Sequence, residues 1–522
     1  MALTASLVYE CMNNATAGNV NGGGFDSSYG GTDYTQQTTA QLALTDLAST
    51  LASGWLTLTS ATGGFTAAMV GNIVHIASGT NFTAGWYLIT VFTNTNTVTV
   101  DRACGATADA SAGVGKVGGA MSLNSTLDDD FFEILLAGNK VWMKNNGTYT
   151  LAENISVTAD GGAQNPIIIE GYITTRGDVP TGSNRPVMAG AGYTMFFGDY
   201  VEFYNLRFTT TITNGLQPGA YNKIVNCKAT NTSTSAGRVG ITPGSLDVLI
   251  NTESISYRGN ALGSGNVSFV CLGCYFHDSN NGISSQATSA FNIINCLIES
   301  NVNAAINLSG ALTNSLIIGN TLYGSEAKTG TGIIIATGTF ARFLVMDNII
   351  YGFTTGISHA DAQNGGYDNY NDFFNNTTDV SNWTKGANDQ ALNPTFTTMA
   401  QVTGTTATYA GSILTQTGAD FSNVVDNQDF IYIKSGTGIT VGQYLITAHT
   451  TTTVTTDLDA GENVAGDINF QVTTGRNFAI GLNLKAKGFP AAFQAGLTTG
   501  YTDIGAVQRQ ESVTSRIGGL VV

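Results

Sequence analysis

The amino-acid sequence predicts an all-β protein built on a right-handed parallel β-helix, and three observations lead there. An Asn-centred pattern recurs through the middle of the chain at spacings of 21, 25, 22, 22, 25, 28 and 23 residues. Nothing between the recurrences has helical periodicity, so the repeat unit holds only short strands. Charge is scarce and glycine abundant: 522 residues carry 20 Lys+Arg and 36 Asp+Glu (11% charged), with 64 Gly and only 7 Pro. Stacked turns that pair their own backbones need few salt bridges, and Gly and Asn suit the left-handed bends between strands.

From the N-terminus, residues 1–54 are expected to form an attachment segment. The start, Met1 to Glu10, has no basic region followed by a long apolar run, which leads to the expectation of a chain made in a cytoplasm without a signal peptide. Residues 55–118 are expected to form a small β-barrel or sandwich. The main β-helix is expected over 119–400, opened by a short capping helix at 125–136, where Asp128, Asp129 and Asp130 precede Phe131, Phe132, Ile134 and Leu135. Residues 401–473 are expected to be a second copy of the small module, inserted before final β-helix turns and a tail at 474–522. Nine identities at one offset of 357 carry the duplication, among them Ser78/Ser435, Gly79/Gly436, Tyr87/Tyr444 and Ile89/Ile446, and Thr97-Val-Thr-Val-Asp101 and Thr453-Val-Thr-Thr-Asp457 continue it.

The repeat itself is read from Phe203-Tyr-Asn205, Ile224-Val-Asn226, Leu249-Ile-Asn251, Ile293-Ile-Asn295, Ile318-Gly-Asn320, Met346-Asp-Asn348 and Asn369-Tyr-Asn371, with Cys271-Leu-Gly273 in the same frame. Asn205, Asn226, Asn251, Asn295, Asn320, Asn348 and Asn371 are expected to stack as one internal amide ladder at a bend. A second signature, a small residue then an aliphatic one, recurs as Gly282-Ile283, Ala305-Ile306, Gly332-Ile333 and Gly356-Ile357. An antiparallel sandwich would not preserve such columns.

The net charge of −16 and the lack of any basic stripe exclude a nucleic-acid binder, and no run of 18 apolar residues suggests membrane insertion. The six cysteines fall in apolar columns (Cys227, Cys274 and Cys296 in one, Cys271 in another) and read as buried free thiols, although Cys271-Leu-Gly-Cys274 has the spacing of half a zinc site. No metal and no cofactor is expected.

Chemistry on a β-helix calls for acids on the outer face. His277 and Glu299 share a column on adjacent turns with Asp278 beside them, which makes these three the catalytic candidates; Lys228, Glu253 and Tyr275 form an outward column and are the glycan-binding candidates. Polar residues must occupy outward positions in any case, so the same residues also read as a solvated face. His359 and Asp361 form a weaker pair.

The stretch Val141-Trp-Met-Lys144 to Gly147-Thr-Tyr-Thr150, the Asn-centred turns and Asp503-Ile-Gly-Ala-Val-Gln508 resemble the pectate-lyase-like right-handed parallel β-helix superfamily. Ala17 to Phe25, Gly31-Thr-Asp-Tyr-Thr-Gln-Gln37 and the flanking module look similar to β-helix proteins of tailed bacteriophages. The resemblance implies a virion protein, a tail fibre, tailspike or surface decoration protein, commonly trimeric, in contact with other virion proteins and with host surface polysaccharide. The family's enzymes use Asp clusters with Arg on the outer face, and no such constellation stands in this sequence. A polysaccharide depolymerase (lyase or glycoside hydrolase) is the alternative reading, and a cellular adhesin a third.

Overall fold

The structure is a computed structural model. It describes residues 7–473, apart from 14–20, 123–131, 133, 234, 266, 287–289, 300–301, 311, 325–327, 337–339, 362–365, 395, 397–401, 425 and 427–428, and also residues 504–506. The chain divides into two compact units, one of residues 1–210 with 216–228, the other of 211–215 with 229–522.

Each unit contains a parallel β-solenoid and one closed barrel. In the first unit the rungs of the first sheet are Lys140–Lys144, Ile167–Tyr172, Val201–Tyr204 and Lys223–Val225, each paired in parallel with the next. Alternation explains them: in Lys140–Lys144 the side chains of Val141 and Met143 are buried while those of the flanking residues are half-exposed. The segment expected to serve attachment contains a further rung. Val8–Met12 pairs in parallel with Lys140–Lys144. Its fully buried Glu10 is held by Arg176 at 2.6 Å and by the Tyr172 hydroxyl, and Arg176 reaches Asp33 at 3.0 Å. Most of the expected capping helix lies outside the described residues. Phe132, within it, is buried in helical conformation, with its ring edge-on to Phe197 at 5.3 Å.

In the second unit, three parallel sheets stack rung on rung, as in Asp247–Ile250, Glu253–Ser256 and Asn260–Ser264, followed by Phe269–Leu272, Tyr275–His277 and Asn281–Ser285. Leu262, Ile283, Ile306, Ile333, Ile357 and Val380 stack in one interior column, which is the aliphatic half of the second signature. The small half follows from backbone proximity: a Cβ on Gly332 would sit 2.4 Å from the carbonyl oxygen of Gly356 on the next rung. At the far end Trp383 packs edge-on to Phe343, donates to Asp368 at 3.1 Å and covers the interior.

The expected Asn ladder resolves into two columns. Asn205, Asn226, Asn251 and Asn295 occupy the left-handed bend position (φ 59°, 52°, 48° and 53°), which Gly273, Gly319, Asp347 and Tyr370 take on other rungs. Asn320, Asn348 and Asn371 stand one residue later, fully buried, in the column of Cys274 and Cys296. Strand pairing matches Leu297 with Thr321, a step of 24, whereas the two asparagines are 25 apart. Both columns suit Asn for different reasons: αL backbone tolerance in the first, a two-sided hydrogen-bonding amide in the second. Asn226 donates to Asn205 at 2.6 Å, and the inward three bond in series at 2.9 Å.

The two barrels share one strand order, first-second-fifth-fourth-third-sixth. Their strands are Leu42–Ser49, Thr57–Ser60, Ile73–Thr80, Gly85–Asn94, Thr97–Val100 and Ala110–Val117 in one. In the other they are Val402–Ala410, Ile413–Thr415, Phe430–Ser435, Gly442–His449, Thr453–Thr456 and Asn463–Thr473. Matching bonds recur: the Tyr87 hydroxyl donates to the Thr83 carbonyl at 2.7 Å and that of Tyr444 to the Thr440 carbonyl at 2.8 Å. In the first barrel Arg102 lies over the Tyr87 ring. In the second the solenoid supplies that cation, since Arg258 lies over Tyr444 while Tyr257 donates to Asp457 at 3.1 Å. Ile255 and Tyr257 are buried in the barrel's own core. Tyr257→Ala is therefore expected to cost about 3 kcal/mol and to split the calorimetric melting of the second unit into a barrel step and a solenoid step; one unshifted transition would contradict this docking.

All six cysteines are buried with free thiols. Of the expected final turns at 474–522, only 504–506 lie within the described residues. There Ile504 is buried with Tyr323, Ile349 and Tyr351, and the Gly505 amide donates to the Asp347 carbonyl at 2.8 Å. No described helix is long and apolar enough to cross a membrane.

Candidate functional site

Three stacked strands of the second unit, Glu253–Ser256, Tyr275–His277 and Leu297–Glu299, bring the candidate residues together. Pairing puts Glu253 beside Tyr275, and Ile255, His277 and Glu299 in one column. Ser254, Phe276 and Ile298 alternate with them into the interior, so Glu253, Tyr275, His277 and Glu299 share the outer side.

The cluster is bonded throughout. His277 Nδ1 lies 2.6 Å from Asp278 and its Nε2 lies 3.0 Å from Glu253 Oε1. The Tyr275 ring stacks on the imidazole at 3.9 Å between centroids, and its hydroxyl donates to Glu299. Asp278 holds a left-handed backbone (φ 49°), which turns its carboxylate back toward the ring. Burial pushes the imidazole pKa down, but the Asp278 and Glu253 carboxylates outweigh it and bring it up to about 9. Burial, with the Glu299 carboxylate next, pushes the Tyr275 phenol far up.

Thus one catalytic set (His277, Asp278, Glu299) and two of the three glycan candidates (Glu253, Tyr275) form a single network. Lys228 belongs to the first unit. One imidazolium stands among three carboxyl groups: His277 stays protonated at neutral pH and cannot act as a general base there, and Tyr275 stays neutral. The three catalytic candidates are also covered. Glu299 exposes 0% of its surface, His277 8% and Asp278 6%. A polymer needs an open face, and these groups do not offer one. His359 is likewise buried, its Nδ1 turned to the backbone of Asp361.

A partly exposed aromatic pair has no counterpart among the residues the sequence singled out. In the first unit Tyr200 and Tyr221 stack with centroids 4.8 Å apart and planes within 4°, and Tyr221 is 47% exposed. Both stand at left-handed bends (φ 54° and 61°). Their separation of 21 residues equals that of Asn205 and Asn226, so the repeat alignment contained the signal.

The geometry defines a parallel β-solenoid protein with two like barrels. No family model matches the sequence, and no curated protein sequence matches it. Among solved structures it is similar to the pectate lyase Pel9A, at 14% identity over 75% of this chain and 92% of that one, with a TM-score of 0.35. It is also similar to a mannuronic acid specific polysaccharide family 6 lyase from human gut microbiota, at 12% identity over 50% and 76%, with a TM-score of 0.35. A third similarity is to the tailspike protein gp49 from Pseudomonas phage LKA1, at 12% identity over 83% and 81%, with a TM-score of 0.20.

Proposed function

We propose that the chain is a non-catalytic structural protein of a virus particle that binds host-surface glycans, assembles as a homotrimer and meets other virion proteins through its barrels. The Tyr200–Tyr221 pair carries the binding part. A non-glycine residue in the left-handed region costs of the order of 1 kcal/mol, and two stacked tyrosines, Tyr221 exposed and Tyr200 half-buried, bear that cost together. Each presents a flat apolar body with a polar tip, the shape that matches the C–H face and hydroxyl rim of a pyranose. The covered state of His277, Asp278 and Glu299 supports binding without cleavage.

The test uses an array of bacterial surface glycans and the purified chain. Retention on at least one glycan is expected without release of fragments, and Tyr221→Ala is expected to weaken it roughly tenfold, about 1.4 kcal/mol. Release of oligosaccharides by the natural chain, abolished in Asp278→Ala or Glu299→Ala, would replace this reading with that of a depolymerase. Antibody against the chain is expected to label virions in electron micrographs.

A further inference from the structure

We propose that the Tyr200–Tyr221 corner of the first unit is selective for uncharged sugars, with the Asp160 and Asp199 carboxylates taking sugar hydroxyls and turning acidic glycans away. The proposal rests on the glycan-binding part of the reading above and names the chemical class of ligand that the same site accepts.

The corner is built over successive rungs. Strands Met195–Phe196 and Leu216–Gln217 pair in parallel, which sets Phe196 beside Gln217 on the outer side while Met195 and Leu216 are buried in the interior. Phe196 is 43% exposed, an unusual place for a large apolar ring on a face turned to water. Four residues further on, Tyr200 stands at its bend with Tyr221 stacked on it. The chain from Phe196 to Tyr200 spans at most about 14 Å, the reach of a short oligosaccharide. Between these aromatic groups along the chain lies Asp199, with Asp160 one rung before it. Asp160 Oδ1 accepts from the Asp199 backbone amide at 2.8 Å, and Asp199 Oδ1 accepts from the Ala220 backbone amide at 2.6 Å. Glycine on the following rung makes room for each carboxylate, since a Cβ on Gly198 or Gly219 would collide with these oxygens.

Two features select an uncharged sugar. The backbone bonds alone do not require a charge, because Asn154 and Asn222 supply the same kind of bond to the Thr194 and Val201 amides of the same unit. Aspartate at 160 and 199 adds a second oxygen, Oδ2, which has no hydrogen-bond or ion-pair partner among the described residues. Asp160 is exposed and Asp199 half-exposed, so both can accept from the hydroxyls of a sugar seated against the rings, in bonds that the carboxylate charge strengthens. The second feature is the missing cation. Lys223, the cation nearest to Tyr221 in sequence, is held over the Tyr204 ring at 5.6 Å. A carboxylate or phosphate carried by the sugar would therefore meet two like charges that no described cation balances, on a chain of net charge −16. Acceptance of hydroxyls and rejection of acids then come from the same two side chains.

An array of bacterial surface glycans that carries each acidic member beside its carboxyl-reduced, uncharged form tests this with the purified full chain. Retention is expected on uncharged members and reduced forms, roughly tenfold or more tighter than on the acidic parents, with the gap narrowing as salt rises. Asp199→Asn keeps an oxygen for the Ala220 amide and removes the charge. It is expected to weaken binding of the uncharged ligand about fivefold and to bring the acidic parent within a factor of about three. Asp160→Asn, at an exposed position, carries the same expectation and covers the case of an Asp199→Asn variant that does not fold. Tyr221-dependent retention of acidic glycans as tight as that of their reduced forms overturns this proposal and leaves the glycan-binding reading in place. Retention that a chelator of divalent cations abolishes overturns it as well, since the carboxylates would then hold an ion. An array on which no member is retained in a Tyr221-dependent way overturns both.

Discussion

Asn348→Leu is expected to destabilise the second unit by about 4 kcal/mol or more, although leucine has nearly the same volume. The Asn348 amide makes four bonds in a fully buried site: its Oδ1 accepts from the Asn320 backbone amide and side chain at 2.9 Å each, and its Nδ2 donates to Asn371 Oδ1 at 2.9 Å and the Ile317 carbonyl at 2.8 Å. Leucine removes all four: the Asn320 backbone N–H and the Ile317 carbonyl lose these partners in the buried interior, at about 1–3 kcal/mol each, and the Asn320 and Asn371 side chains keep only their bonds to the Ile293 carbonyl and the residue 348 backbone amide. The same column shows how little suffices on earlier rungs. Cys274 and Cys296 point thiols at the Leu249 and Cys271 carbonyls at 3.4 and 3.6 Å, the positions that the asparagine amides occupy relative to Ile293 and Ile317. A thiol is a weak donor, so Cys296→Ala is expected to cost only about 1 kcal/mol. Guanidinium midpoints and unfolding rates measured on both variants check the contrast; equal losses would show that the column is held by volume rather than by amide bonding.

That column marks how far the fold was legible. Stacking imposes a period on the chain, so the repeat from Asn205 to Asn371 and the all-β solenoid could be read directly. The one-residue slip between Asn295 and Asn320 could not, because Asn satisfies both the left-handed bend and the inward site next to it. The barrels were legible from Ser78 and Ser435 onward, where turns and inward aromatics demand the same residues twice. Their first strands were not: Leu42–Ser49 and Val402–Ala410 share a place in the barrel but only the rule of alternation, which many sequences meet. At the site, the shared column of His277 and Glu299 was visible. Its burial was not, since the closing of Tyr275, Asp278 and Glu253 around the imidazole depends on side-chain geometry that spacing alone does not give.

Stability is expected to fall as pH rises from about 5 to 9, opposite to a protein whose carboxylates are held ionised. Burial raises the carboxyl of Glu10 to about 7 despite Arg176, and that of Asp372 to about 7. Burial and then the facing Asp389 carboxylate push Asp368 well up from the ordinary range. For these groups the unfolded chain releases its protons near pH 4 while the fold keeps them, so their contribution is complete below about pH 4 and is lost as pH rises through the folded values. His277 acts in the same direction through its charged form: its contribution is full below about 6.5, the unfolded value, and disappears as pH rises through about 9. Asp467, held down to about 2 first by the Thr437 hydroxyl, works the other way, but only below about pH 4. Scanning calorimetry is therefore expected to place the Tm at pH 9 roughly 10 °C below that at pH 5. General repulsion in a chain of net charge −16 would give the same trend, and salt separates the two causes. At 1 M salt the Debye length is about 3 Å, so surface repulsion is screened while buried groups keep their shifts. A slope that survives high salt and flattens between pH 7 and 9 in His277→Gln supports the buried origin; a slope that salt abolishes assigns it to the surface.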